Sequence, residues 1–229
     1  MTLTLAERLL LLALDDAGRD RTSTGVEPGL AGALLLELVR DGRLAEVDGK
    51  LAPVDAGPGH ALLDAALDTI RESGKRRDAK GWVRRLGREL RPLKARVATS
   101  LVERGVLGQE RRRLLGVLPR TRFPQRDPEP ERALRERLGA VLLGEREPDE
   151  DDALLVALLP PFDLVKQLVP KERRHEAKRR AKAIGDGGAT GRAVASAVRD
   201  AQAAVLAAGV ASAPAASGGD GGGDGGGGG

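Results

Sequence analysis

A chain of 229 residues with 41% hydrophobic content can bury a sizeable core, and one domain is expected. Its 38 lysines and arginines stand against 34 acids, so the net charge is only +4 and any basic surface has to be local. Aromatic residues make up 1% of the chain, which argues against modules that stack single-stranded bases on rings; the absence of cysteine removes disulfides, thiol nucleophiles and thiolate zinc sites.

The N-terminal segment has no basic stretch ahead of its apolar run, and Glu7, Asp15 and Asp16 flank that run, so it does not read as a signal peptide. The longest apolar runs, Leu9 to Leu14 and Ala153 to Leu159, fall well short of the roughly 20 residues of a membrane-spanning helix. A cytoplasmic protein is the default expectation, with any membrane contact peripheral.

In chain order, Thr4 and Glu7 form a capping box, and Leu5 to Leu14 is so uniformly leucine that this first helix is expected to be buried on most sides. Pro28 suits a first helical position, and Leu30, Leu34, Leu35 and Leu38 line a second helix that stops near Asp41-Gly42. Arg43 to Val54 is two short alternating runs around Asp48-Gly49, a hairpin signal. Helix, helix and hairpin together suggest a winged-helix module, whether it binds DNA or serves only as structure. A third helix spans about Gly59 to Ser73 on Leu63, Ala66, Leu67 and Ile70. A basic link, Lys75 to Lys80, then leads to a short helix marked by Trp82, Val83 and Leu86, whose tryptophan reads as a core anchor.

The central stretch begins at Leu90. Leu90, Leu93, Val97 and Leu101 make one buried stripe, Arg91 and Lys94 stand a turn apart on another face, and Gly105 is a C-terminal cap. The hairpin that follows has an apolar tip, Leu114-Leu115-Gly116-Val117-Leu118, between Arg111-Arg112-Arg113 and Arg120-Thr121-Arg122-Phe123. An apolar tip with a basic collar suits a protein that docks on an anionic membrane.

Pro128 to Leu143 is an amphipathic helix, and Glu147 to Asp152 complements the dipole of the next helix, a role favoured over metal binding. Lys171 to Lys182 reads as a solvated basic helix that packs through Ala177, Ala181 and Ile184. The glycine-rich segment after it lacks the strand and the Gly-Lys-Ser/Thr ending of a phosphate loop. Val194, Val198, Ala201 and Val205 mark a last helix, and a Gly/Asp-rich tail follows. His60 and His175 are isolated and read as ordinary surface residues. With no catalytic arrangement visible, neither an enzyme nor a cofactor nor a metal is expected.

Four stretches, Leu3 to Asp16, Gly29 to Leu44, Leu62 to Leu67 and Leu101 to Leu107, resemble in order and spacing the Golgi phosphoprotein 3 family, over roughly residues 1 to 208. The resemblance implies a mainly α fold, a single compact helical domain over 1–208 with a protruding β-hairpin; the short winged-helix-like hairpin and the disordered tail over 209–229 are read from the residues themselves. It implies a peripheral membrane adaptor; the eukaryotic members bind phosphatidylinositol 4-phosphate and retain glycosyltransferases in the Golgi. Carried over residue by residue, the headgroup site falls on Arg91 and Lys94, with Arg96 close by. The family's other contributions, a tryptophan and an arginine, fall around Gly25 or Val26 and on Ala31, where neither residue is present. An alanine supplies none of arginine's charge-assisted hydrogen bonds to phosphate, so anionic lipid in general is the expected ligand.

By the same resemblance the membrane-inserting hairpin is Arg111 to Arg126, with Leu114, Leu115, Val117, Leu118 and Phe123 entering the interface and Arg111, Arg112, Arg113, Arg120 and Arg122 as the collar. The excess of arginine over lysine, with abundant Ala, Gly and Leu, suggests a GC-rich bacterial genome. The expected partners are then anionic lipid on the cytoplasmic face of a membrane, client membrane proteins and, in principle, a second copy of the chain. Nucleic acid is disfavoured. The alternatives are a winged-helix-like DNA-binding regulator and an interaction scaffold with no membrane role.

Overall fold

The structure is a computed structural model, and it describes residues 2–22, 25–114, 118–188 and 203. The fold is mainly helical: α1 Leu5–Ala13, α2 Glu27–Arg40, α3 Ala61–Glu72, α4 Ala79–Glu89, α5 Leu93–Glu103, α6 Glu129–Leu143, α7 Glu150–Leu158 and α8 Arg174–Ala183. Two antiparallel hairpins interrupt it, β1 Leu44–Val47 with β2 Lys50–Pro53, and β3 Glu110–Leu114 with β4 Leu118–Arg122. The expected last helix and tail lie outside the described residues, apart from Ala203, which is helical.

The leucine-rich α1 sits at the centre and packs on α2, α5, α6 and α7. Its N-terminus carries the expected capping box, in which the Glu7 backbone N–H donates to Thr4 Oγ1 and the Thr4 N–H to Glu7 Oε2. A second carboxylate reaches it from α2, where Glu37 Oε2 accepts from the Leu5 N–H at 2.9 Å. Burial pushes the Glu37 carboxyl up to about 7, against the pull of that N–H and of the Arg40 guanidinium. Helix α2 is buried from Gly29 to Leu38.

Asp48 and Gly49 take positive φ, +53° and +70°, as a two-residue hairpin turn requires. Trp82 is fully buried, and its Nε1 donates to the Leu51 carbonyl at 3.2 Å, pinning α4 to β2. Asp149 caps α7 reciprocally with Asp152, and the Arg137 guanidinium from α6 donates to both carboxylates. The acidic run is therefore structural, and Glu150 to Asp152 form the first turn of α7 itself.

Candidate functional site

Helix α5 begins later than its apolar stripe suggests. Proline disfavours helical backbone at the residue before it, so Arg91 stays outside, Pro92 is the cap and Leu93 the first helical residue. Arg91 therefore does not share a helical face with Lys94, which corrects the expectation from spacing. It is exposed at the joint between α4 and α5.

Lys94 opens onto a cavity of about 450 Å³ whose other charged lining residues are Arg19, Asp20, Glu27 and Arg122. Its Nζ lies 3.1 Å from Asp20 Oδ2, and its backbone N–H donates to Glu27 Oε1 at 3.4 Å. Burial raises the Asp20 carboxyl, but hydrogen bonds from Thr22 and the Lys94 ammonium outweigh it and hold Asp20 below the usual carboxylate range, ionised. Arg19 is likewise engaged, with Nε 2.7 Å from Asp15 Oδ2. Two acids thus oppose the three cations at this cavity. Position 31, one turn along α2 from Glu27, holds a fully buried alanine.

Arg96 follows Lys94 by two residues, roughly 200° round the helix. It lines a different cavity, of about 730 Å³, beside His60, Ser100 and Arg104. Arg91, Lys94 and Arg96 are close in sequence but do not converge on one ligand position.

That second cavity adjoins the fully buried Glu7, which accepts from Ser100 Oγ at 2.7 Å and pairs with Arg104 Nε at 3.1 Å. His60 is no ordinary surface residue. It caps α3, with Nδ1 accepting from the Leu62 N–H at 3.3 Å, and presents Nε2 to Glu7 at 3.8 Å. Ser100 bonds the carboxylate and not the imidazole, so these three side chains form no nucleophile–base relay.

The β3–β4 hairpin is rooted by the end of α5. Gly105 has φ +76°, the Val106 N–H donates to the Leu101 carbonyl and the Gly105 N–H to Val102, a Schellman cap as the glycine foretold. Leu107 then bridges to Gln125, and the Gly108 N–H donates to the Pro124 carbonyl at 2.7 Å. The register sets Arg112 opposite Arg120 and ends at Leu114 opposite Leu118. Phe123 lies at this root and is 7% exposed within the core, so it is not part of an inserting tip: the core claims the ring where the strand leaves the hairpin. Of the basic collar, Arg111 is exposed and Arg122 half-buried. Leu115 and Val117 lie outside the described residues, as do the side chains of Arg112, Arg113, Leu114, Leu118 and Arg120.

A further cationic feature lies outside the expected site and runs past the basic link of Lys75 to Lys80. On α4, Lys80, Arg84 and Arg88 recur every fourth residue and are all exposed, opposite Trp82, Val83 and Leu86. The spacing was there to be read, but the tryptophan drew the interpretation toward the core.

No helix among the described residues is long and apolar enough to cross a membrane. The profile of the Golgi phosphoprotein 3 (GPP34) family matches residues 5–205, from the first turn of α1 to beyond α8. A match over that span, on a mainly helical domain with two small hairpins, places the chain in the Golgi phosphoprotein 3 (GPP34) family.

Proposed function

We propose that this protein docks peripherally on the cytoplasmic face of an anionic lipid bilayer and acts there as an adaptor for membrane-bound clients. The observation that carries this reading is the β3–β4 hairpin. Its arms hold a dense set of arginines, pair with each other from Glu110–Arg122 onward, and end on the Leu114–Leu118 pair. Family membership supports the same reading.

The two halves of such an anchor are of similar size. Each cation near an anionic surface contributes about 1 kcal/mol, and each fully buried leucine roughly 1.5–3 kcal/mol. The ligand is anionic lipid as a class and not one stereospecific headgroup, because Asp20 and Glu27 occupy the cavity beside Lys94 and position 31 offers no guanidinium. The DNA-binding alternative has no such support. In a winged-helix reader the helix before the wing enters the major groove, yet α2 is buried along most of its length, and the β1–β2 tip exposes Glu46 and Asp48.

The test is a Leu115→Asp, Leu118→Asp variant, sedimented with vesicles of equal parts phosphatidylcholine and phosphatidylglycerol. The expected result is an unchanged melting temperature and mass with vesicle binding lost even at low salt. Intact binding overturns insertion. A fall in melting temperature or a changed mass assigns these leucines to the fold or to a self-contact.

A further inference from the structure

Residues 75–91 hold eight lysines and arginines against two acids, an excess of six, larger than the net +4 of the whole chain. Of the two acids, Asp78 is spent as the cap of α4, accepting from the Gly81 N–H at 2.7 Å. Glu89 is shared between Arg88 at 3.0 Å and Arg85 at 3.9 Å. Arg77 lies over the Trp82 ring, 5.6 Å from its centroid. The remaining cations, Lys75, Arg76, Lys80, Arg84 and Arg91, are exposed, and their side chains have no hydrogen bond or ion pair among the described residues.

The geometry of this face is simple. Lys80, Arg84 and Arg88 form a row that advances about 12 Å along the helix and turns about 80° around it. Gly87 lies beside that row, and a Cβ there would meet nothing within 4 Å, so no packing demand explains the glycine. Trp82, buried beneath and bonded to Leu51, fixes the opposite side of the helix to the fold, so the cations are held on a rigid support. At the C-terminal end, Arg91 leads into Pro92 and Lys94, which line the same cavity as Thr121 and Arg122 at the base of β4. The basic line thus ends at the root of the hairpin.

We propose that the exposed face of α4, flanked by Lys75, Arg76 and Arg91, is a second membrane-contact surface, one that lies along anionic headgroups and holds the protein by charge alone. This rests on the lipid-docking reading given above. An anionic bilayer is the occupant because the cationic row runs on through Arg91 to Lys94, which lines one cavity with Thr121 and Arg122 at the root of the hairpin that docks in the reading above.

The test is a Lys80→Gln, Arg84→Gln, Arg88→Gln variant, chosen because glutamine keeps helix propensity and these side chains are exposed. A charge-matched control replaces Lys171, just before α8, and Arg179 and Lys182 on α8 by glutamine. Both are titrated with the phosphatidylcholine/phosphatidylglycerol vesicles and with duplex DNA, beside wild type and the Leu115→Asp, Leu118→Asp variant. At about fivefold per cation, the α4 variant should lose on the order of a hundredfold in vesicle affinity, and the α8 control only a few-fold. Wild type failing to bind the vesicles defeats the lipid reading itself. Wild-type affinity in the α4 variant, with binding lost in the tip variant, overturns this inference alone. Equal losses in the α4 and α8 variants show a net-charge effect and overturn it too, as does a loss confined to DNA.

A second measurement does not depend on weakening the anchor. Because the chain has no cysteine, Arg84→Cys and Arg179→Cys each give a single labelling site. A polarity-sensitive probe should respond to vesicles at 84 and not at 179, and silence at 84 on bound protein overturns the proposal.

Discussion

Helices α4 and α8 look alike as strings of letters and differ as surfaces. Residues 171–182 hold seven lysines and arginines against two acids, nearly the balance of residues 75–91. Around α8, however, the chain supplies answers from elsewhere. Lys178 pairs with Asp163 at 3.5 Å, and Arg180 reaches both the Val141 carbonyl at 2.7 Å and Glu147 at 3.3 Å. Arg174 donates to the Lys166 carbonyl, and Arg173 is held by Glu176 in a two-bond grip. Nothing comparable approaches Lys80 or Arg84 among the described residues. A local excess of cations in sequence sets only an upper bound on surface field, because the neutralising groups arrive from residues remote in the chain.

The largest way to break this contrast is to remove the support under α4. Trp82→Ala should destabilise the fold by about 3–5 kcal/mol, since it empties a fully buried site and leaves the Leu51 carbonyl without its donor; urea denaturation measures it. A value under about 1 kcal/mol would mean that α4 is held by something else.

The contrast can be sharpened by making α8 resemble α4. Asp163→Asn with Glu147→Gln frees Lys166, Lys178 and Arg180 from their acids, and vesicle affinity should rise severalfold, with the gain vanishing at high salt. No gain would show that α8 faces away from the bilayer. Hydrogen bonding from Lys166 chiefly holds the Asp163 carboxyl below the usual range. That pairing is present above the ordinary carboxylate pKa and is lost only as pH falls through the depressed value, so the rise should be the same throughout neutral and mildly acidic buffers.

The smallest effect concerns Gly87. Because a Cβ there meets nothing, Gly87→Ala should stabilise the protein by about 0.5–1 kcal/mol, read as a raised melting temperature, with vesicle binding changed little. A destabilised variant would reveal a contact that the open space does not suggest.

Local rules made much of the fold legible. The Thr4 box, the Asp48-Gly49 turn, the Gly105 cap and the Trp82 anchor each depend on residues close in sequence or on side-chain volume, and each is where the sequence indicates. The candidate site was less readable. The Lys94–Asp20 pair joins residues 74 apart, and no periodicity announces it. Arg91 and Arg96 part from Lys94 for reasons local to the chain, the pre-proline restriction at Arg91 and the 100° helical step at Arg96. Phe123 looked like part of the tip because it sits in the same apolar-basic run, and only the bridge at Leu107–Gln125 shows that the run has already re-entered the core.

The root of that hairpin has a consequence for how the protein tolerates sequence change. Gly18 has φ +72°, and a Cβ on it would fall 2.5 Å from the Phe123 backbone, while the Gln125 N–H donates to the Asp16 carbonyl. The loop that presents Arg19 and Asp20 is therefore seated directly on the strand that leaves the hairpin. None of these contacts involves the Leu114–Leu118 end of the described ladder, so a substitution there leaves the seat in place. A one-residue insertion between Leu107 and Gly108 would instead shift the root and unseat the Arg19–Asp20 loop with it. The seat of the Arg19–Asp20 loop is thus sensitive to the length of the hairpin's root and indifferent to the chemistry of its far end.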